Sequence, residues 1–190
     1  MTELSESDSN EANLNMKLEL GRYIYYFQSM CNSLQSLIIT ILKINGLNND
    51  NIARVVIGDC GADRLQTMAR HMVDIFFHEQ PKEKEIAKKC FNYIRKIIEK
   101  RNIIIHSTWF PAEEVSLSYK VDTSGKELLT EFDQETFERE RNKCIEGRMF
   151  LGVIQGHILF SKQVGRSIID DEIEIVSEAP KSRKNFTHND

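Results

Sequence analysis

An unbroken amphipathic pattern over residues 13–44 constrains the fold more than any other feature of the chain. Apolar side chains recur there at steps of three and four residues, the spacing of one helical face. The pattern ends before Gly46, which can adopt the left-handed conformation found after helices. Such a helix is roughly 45 Å long at about 1.5 Å per residue, so the chain is expected to form an elongated helical bundle. The apolar positions are Met16, Leu20, Tyr23, Phe27, Met30, Leu34, Leu37, Ile38 and Ile41.

Composition places the chain among globular domains. Its 190 residues suffice for one domain with a sizeable core. The contents of 41% hydrophobic and 28% charged residues are typical of soluble proteins. The low number of prolines, three, favours helices. The net charge of -4 argues against a chain that coats nucleic acid with its whole surface. A local basic site remains compatible with that charge.

Cysteine spacing and the chain ends indicate a cytoplasmic protein. The four cysteines form no C-x-x-C pair, which is typical of reduced thiols in the cytosol. The acidic, serine-rich start differs from a signal peptide, and residues 1–12 are expected to be disordered. The longest apolar run, 37–42, is too short to cross a bilayer, so no membrane association is predicted.

Two further helical segments follow the first. Residues 50–79 carry an apolar pattern with a break near Gly58 and Gly61, which predicts a short helix and then a longer one. Pro81 suits the first position of a third long helix. That helix is expected to reach about residue 108, because Pro111 disfavours helical geometry just before it.

The remaining part of the chain changes its period and then returns to helix. Apolar and polar residues alternate around a glycine-bearing turn in 114–132, which predicts a small β-hairpin. Asp133 suits the N-cap of a fourth long helix ending near residue 163. The expected fold is all-α: an elongated up-down four-helix bundle over residues 13–165, with the hairpin inserted between helices 3 and 4. Residues 166–190 are expected to form an appendage and a flexible tail.

Gly152 and Gly156 lie one turn apart on the predicted fourth helix. Glycine inside a helix costs about 1 kcal/mol relative to alanine. Close approach of another helix would explain that cost, and a locally weak helix is the alternative.

The C-terminal end of the third helix combines polar and aliphatic residues in an unusual order. On a helical wheel, Arg101 falls inside the apolar arc, Asn102 and His106 share its edge, and Ile103 points outward. A buried guanidinium needs partners, because an unpaired buried charge is very costly. A homodimer with this end at its two-fold axis would cover the site. Alternatively, Arg101 pairs with an acid of a neighbouring helix and His106 caps the helix.

Arg101-Asn102, three further residues and His106 resemble the R-x4-6-H motif of the HEPN superfamily, in its form with a polar residue after the arginine. The placement late in a third long helix agrees with that family. The resemblance implies a homodimer in which the Arg/His sets of both chains line one cleft. It further implies cleavage of RNA without a metal or another cofactor.

The resemblance also implies a role for each residue of the motif. His106 would handle the proton of the 2′-hydroxyl or of the leaving 5′-oxygen, as an imidazole can. Arg101 would hold the scissile phosphate with its fork of donors. Asn102 would orient the imidazole or the phosphate. The implied products are a 2′,3′-cyclic phosphate and a 5′-hydroxyl.

A basic strip precedes the motif. Residues 82–101 contain eight basic and three acidic side chains in a chain that is acidic overall. Such a strip can attract a polyanion, although an ordinary solvated helix face has the same composition. We expect Arg95, Lys96, Lys100 and Ser107 to bind substrate, and Ser107 also suits a helix cap.

Other constellations are weaker. His71, Asp74 and His78 share one face of the second helical segment, but the same face carries Thr67 and Arg70 and fits solvent, so no metal site is predicted. The resemblance thus leads to the prediction of a cytoplasmic endoribonuclease. It also implies the role of a toxin or antiviral defence effector, with an antitoxin or sensor protein as a compatible partner. The alternatives are a non-catalytic HEPN-like module that binds nucleotide or protein, and a helical scaffold in which Arg101 and His106 are structural.

Overall fold

The computed structural model describes residues 6–106, 108–111, 116–121 and 127–164, with side chains in 14–106 and 132–160. Helices dominate this part of the chain, and three short strands separate the last two helices. The predicted appendage and tail, 166–190, lie outside the described residues. The helices are α1 (Glu6–Ile44), α2 (Asp50–Ile57), α3 (Ala62–Phe76), α4 (Pro81–His106) and α5 (Gln134–Val164), and the strands are β1 (Thr108–Pro111), β2 (Ser116–Val121) and β3 (Glu127–Phe132).

Side chains cap the starts of two helices, α2 and α5. The Asn49 side chain accepts hydrogen bonds from the backbone N–H groups of Asn51 and Ile52 at 3.0 and 3.3 Å. Asp133 accepts one from the N–H of Thr136 at 2.7 Å, which confirms it as the cap before α5. The hydrogen bonds from Thr136 hold the pKa of the Asp133 carboxyl below its usual value. Capping satisfies N–H groups that have no partner within the helix.

Helix ends also follow the glycine and proline signals. Gly46 and Gly58 adopt positive φ values of 96° and 49°, a region that favours glycine. The predicted break near residues 58–61 is confirmed, because α2 ends at Ile57 and α3 begins at Ala62. α4 begins at Pro81, as predicted.

Two boundaries differ from the sequence prediction. α1 begins at Glu6, inside the segment 1–12 for which disorder was expected. Adding residues to an existing helix costs far less than starting one, so the helix fixed by the apolar pattern can extend into the polar segment before it. α4 ends at His106 rather than near residue 108, since residues from Thr108 onward pair as a strand.

The strands form one antiparallel sheet in the order β1-β2-β3. Trp109 lies opposite Ser118 in the first pair, and Tyr119 lies opposite Leu129 in the second. β2 and β3 fall inside the segment 114–132, while β1 is an additional strand directly after α4. Aromatic and β-branched residues such as those of β1 favour extended backbone, and this preference explains the early end of α4.

Helix packing encloses one core. α1 packs against α3 and α5, and α4 packs against the same two helices, so that each long helix has two long neighbours. The apolar stripe predicted for α1 is confirmed, because its side chains from Tyr23 to Ile41 are buried. In the described part of the chain, no helix is long and apolar enough to cross a membrane. The largest fully buried side chains include Tyr23, Met30, Leu34, Leu37, Phe77, Phe91, Ile94, Ile97, Phe132 and Phe137.

Close helix packing occurs at Gly147 and not at the two glycines singled out in the sequence. A Cβ atom added at Gly147 would lie 2.9 Å from Sδ of Met30 and 3.2 Å from Cδ1 of Ile97. Added at Gly152 or Gly156, it would meet nothing within 4 Å. The prediction of a close helix approach at Gly152 and Gly156 is therefore wrong within the chain, because both lie off the face of α5 that packs against α1 and α4.

Alanine substitutions on α5 should separate these two environments. Gly147→Ala should destabilise the protein by about 1 kcal/mol, because overpacking costs about 1–3 kcal/mol and better helix propensity returns about 1 kcal/mol. Gly152→Ala is the matched control and should stabilise by up to about 1 kcal/mol. Urea unfolding measures both changes. Equal effects at the two positions would contradict the assigned packing.

Candidate functional site

Arg101, Asn102 and His106 line a single cleft of about 390 Å³. It lies where the C-terminal end of α4 meets the N-terminal end of α3 and the middle of α1. The three residues of the sequence motif are thus brought together by one helix end and two neighbouring helices. The other lining residues are Phe27, Gln28, Cys31, Gln35, Cys60, Gly61, Ala62, Asp63 and Leu65.

Arg101 is held on two sides. Its guanidinium carbon lies 5.4 Å from the centroid of the Phe27 ring, within the range of a cation–π contact. Its Nη1 atom donates a hydrogen bond to Oδ1 of Asn102 at 3.3 Å. The side chain is half-buried, in keeping with its place in the apolar arc of α4. An aromatic ring and an amide oxygen thus stabilise the charge that the wheel directed inward.

Asn102 connects Arg101 to α3. While its Oδ1 accepts from Arg101, its Nδ2 donates to Oδ2 of Asp63 at 3.3 Å. The two bonds agree on one orientation of the amide, since oxygen faces the cation and nitrogen faces the carboxylate. The acid on a neighbouring helix therefore reaches Arg101 through Asn102. In this arrangement Asn102 contacts the guanidinium. The resemblance implied that it would orient the imidazole or the phosphate, and that role stays a prediction.

His106 is the last residue of α4 and is exposed at the cleft. The start of α3 forms the facing wall through Gly61, Ala62 and Asp63. Gly61, the N-cap residue, has no side chain that could cap the helix, so first-turn N–H groups remain available to other acceptors. The positive end of the α3 dipole thus lies in the same cleft as the guanidinium and the imidazole, and this combination favours an anionic group.

The predicted substrate-binding residues lie elsewhere. Arg95 forms an exposed ion pair with Glu99 at 2.9 Å, and Lys96 is exposed on the same helix. Nζ of Lys100 lies 4.6 Å from the ring centroid of Phe132, and burial lowers the pKa of its ammonium group. None of these three residues lines the cleft. Ser107 lies outside the described residues.

Ile103 bears on the argument for a covering partner. The wheel placed it outward, but in the structure it is half-buried, and Ile104 beside it is fully buried. Because residues of the same chain already cover part of Ile103, this residue supports a homodimer less strongly than its predicted outward position did.

The residues considered for a metal are engaged separately. Asp74 lies 4.0 Å from Arg70 in an ion pair, and Nδ1 of His78 lies 3.1 Å from the carbonyl oxygen of Ile75. Across the described ranges, no three His, Cys, Asp or Glu side chains lie close enough together to hold a metal ion.

Two contributors to the site were missed in the sequence. Asp63 follows the glycine break directly, and that break did indicate a helix start there. Phe27 was recognised as a core residue of α1, and its contact with Arg101 was not foreseen. Neither signal could reveal which helix start or which face of α1 would meet the end of α4, because those contacts join residues far apart in sequence.

Comparisons of the chain with protein-family models, with curated proteins and with solved structures gave no match. The resemblance to the HEPN superfamily therefore rests on the motif residues and on their place late in the third long helix.

Thiol reactivity offers a test of access to the cleft. All four cysteines are free, and burial raises the pKa of Cys31 and Cys90 to about 11 and that of Cys144 to about 12. The thiolate is the reactive form, so these three should react slowly at pH 8. Cys60 is half-buried in the cleft wall and should supply one fast thiol in a reaction with a disulfide reagent.

Cys60→Ser should remove that fast phase. Denaturant should expose all four thiols in the wild type and provides the total. A fast phase that survives in Cys60→Ser would show that another cysteine is accessible and would contradict the described burial.

Proposed function

We propose that the chain is a metal-independent endoribonuclease of the HEPN type that cleaves RNA through attack of a 2′-hydroxyl. In this proposal α1, α3, α4 and α5 form an up-down four-helix bundle, and the sheet is an insert before the last helix. The observation that carries the proposal is the convergence of Arg101, Asn102 and His106 on one cleft whose opposite wall is a helix N-terminus.

The proposed chemistry uses these groups as follows. The imidazole of His106 takes the proton from the 2′-hydroxyl or gives one to the leaving 5′-oxygen, and its exposure leaves it open to substrate. The guanidinium of Arg101 binds the phosphate and the charge that develops on it. Phe27 and Asn102 hold the guanidinium in place, so little ordering is required when substrate binds. The products are a 2′,3′-cyclic phosphate and a 5′-hydroxyl.

The proposed site is composite, which means that it combines residues of two copies of the chain. One imidazole cannot act as base and acid within the same step, whereas two copies of His106 around one phosphate can divide these tasks. The exposure of His106 at the end of α4 is compatible with a second chain across the cleft. We therefore propose a homodimer with the site at its interface. A cytoplasmic toxin or antiviral defence effector, restrained by an antitoxin or sensor protein, is the corresponding biological role.

One observation favours a different function. The carboxylate of Asp63 lies in the cleft wall and would repel a phosphate placed against it. Carboxylates accept hydrogen bonds from ribose hydroxyls, so the same cleft suits a module that binds nucleotide without cutting it. Catalysis and binding alone therefore have to be separated by experiment.

Cleavage of a labelled RNA in the presence of EDTA is the direct test. His106→Ala should lower the cleavage rate by at least about 10²–10⁴-fold, since one general acid or base contributes about that much and the substitution removes both copies of the imidazole. Arg101→Ala should lower it by about 10²–10³-fold through lost charge stabilisation. Asn102→Ala should have a smaller effect, because Phe27 still supports the guanidinium.

His78→Ala and Arg139→Ala are the matched controls, since both side chains are exposed and lie away from the cleft. Each variant is checked for its helical circular dichroism signal. Folded Arg101 and His106 variants that cut as well as wild type would overturn the catalytic assignment. Binding of nucleotide without cleavage by the wild type would favour the non-catalytic module.

Mixing inactive subunits tests the composite site. His106→Ala and Arg101→Ala chains, combined and allowed to exchange, should cleave RNA faster than either variant alone and more slowly than the wild type. A mixed dimer loses one copy each of the imidazole and the guanidinium, whereas each parent dimer lacks one of these groups altogether. Sedimentation velocity should show a dimer. A stable monomer that cleaves RNA, or mixed subunits that stay inactive despite exchange, would contradict the shared site.

A further inference from the structure

A second groove, of about 730 Å³, runs between the N-terminal half of α1 and the start of α5. Three cationic side chains and two tyrosines contribute to its lining, and no acidic side chain is among the described lining residues. In a chain with a net charge of -4, the lining itself is basic, and the carboxylates that pair with its two arginines, Glu19 and Glu138, lie outside it. The residues used below are Lys17, Gly21, Arg22, Tyr25, Tyr26 and Arg141.

A buried carboxylate positions two of the cations. Glu19 is 6% exposed and accepts hydrogen bonds from both Arg22 and Arg141, the latter at 3.0 Å. One carboxylate thus contacts two guanidinium groups. Arg141 also donates to Oε1 of Glu138 at 3.0 Å, so two carboxylates position it, and both arginines retain N–H donors beyond these bonds. The side chain of Arg22 is 52% exposed and can use such donors on a ligand. These cations are ordered before any ligand arrives, which favours the binding of phosphate.

The tyrosines supply an exposed ring on a fixed support. Tyr26 packs against the core, and Tyr25 lies edge-to-face against it with 5.4 Å between ring centroids. Tyr25 is 69% exposed, although the partly buried Tyr26 ring lies beside it. A tyrosine braced in this way beside cations suits the stacking of a nucleobase.

Gly21 gives separate support. It lies inside α1, where glycine weakens a helix relative to alanine. A Cβ atom added there would meet nothing within 4 Å, so packing within the chain does not require glycine. A bare backbone at this point leaves room for a ligand to approach α1 closely.

We propose that this groove binds single-stranded RNA, with a base stacked on Tyr25 and phosphates held by Lys17, Arg22 and Arg141. The inference rests on the proposed function, because it extends the path of the same RNA substrate. Gln28 lines the cleft that contains His106, and Tyr25 lies three residues before it. Residues three apart are neighbours on a helix surface, so the groove and the cleft adjoin along α1.

Binding is measured with a fluorescently labelled 2′-O-methyl RNA of about twelve nucleotides, a length within the range of known single-strand sites. This probe lacks the 2′-hydroxyl and stays intact whether or not the protein is a nuclease. Tyr25→Ala should weaken binding about tenfold through lost stacking, while Tyr25→Phe, which keeps the ring, should bind as wild type. Lys17→Gln should reduce the dependence of affinity on salt concentration.

Gly21→Leu separates binding from folding. It should raise the thermal stability of the protein through better helix propensity, yet weaken binding by filling the groove. Loss of affinity in a more stable protein cannot come from unfolding and would support the groove.

Unchanged affinity in both Tyr25→Ala and Gly21→Leu would overturn the inference, as would a wild-type protein that fails to bind the probe. If Tyr25→Ala instead impairs self-association and leaves RNA affinity unchanged, the groove belongs to a second copy of the chain and the inference is likewise wrong. A wild type that binds the probe through Tyr25 but does not cut unmodified RNA would defeat the proposed nuclease and leave the groove standing.

Discussion

Burial of the apolar stripe of α1 is the constraint on which the rest of the structure depends. A 39-residue helix with buried side chains from Tyr23 to Ile41 needs apolar neighbours along most of its length, and α3 and α5 supply them on two sides. α4 then closes the core against the same two helices. The packing leaves little room for a Cβ atom at Gly147, where α5 lies against Met30 and Ile97.

The cleft follows from that packing. Once α3 and α4 both lie against the core, the start of one and the end of the other meet beside the middle of α1. The N-terminal end of α3 carries a partial positive charge, and it lies across the cleft from a histidine and an arginine. Arg101 can occupy this half-buried place because the Phe27 ring and the Asn102 amide replace part of its lost hydration. The Asn102–Asp63 bond then joins α4 to α3 at the site.

Charge is distributed unevenly over the molecule. The basic residues of 82–101 do not all face the cleft. Arg95 forms an exposed ion pair, Lys100 lies over the Phe132 ring, and Arg101 lies in the cleft. A second basic region arises where Arg22 and Arg141 converge on Glu19. The acidic net charge of the chain thus coexists with two neighbouring sites along α1 that contain arginine, and carboxylates lie close to both. An RNA strand that reached from one to the other would follow a single helix.

The sequence by itself determined what depends on neighbouring residues. Five features are local properties of this kind. They are the apolar period of α1, the break after α2, the start of α4 at Pro81, the cap at Asp133, and the location of Arg101, Asn102 and His106 at the C-terminal end of α4. The tertiary structure alone decided which surfaces meet. It determined that Asn102 bonds to Asp63 and that the Phe27 ring contacts Arg101. It also determined that Lys100 lies away from the cleft and that close helix packing occurs at Gly147. Helical periodicity specifies the direction of a side chain around its own axis, whereas these contacts depend on how separate helices are oriented, which no local pattern encodes.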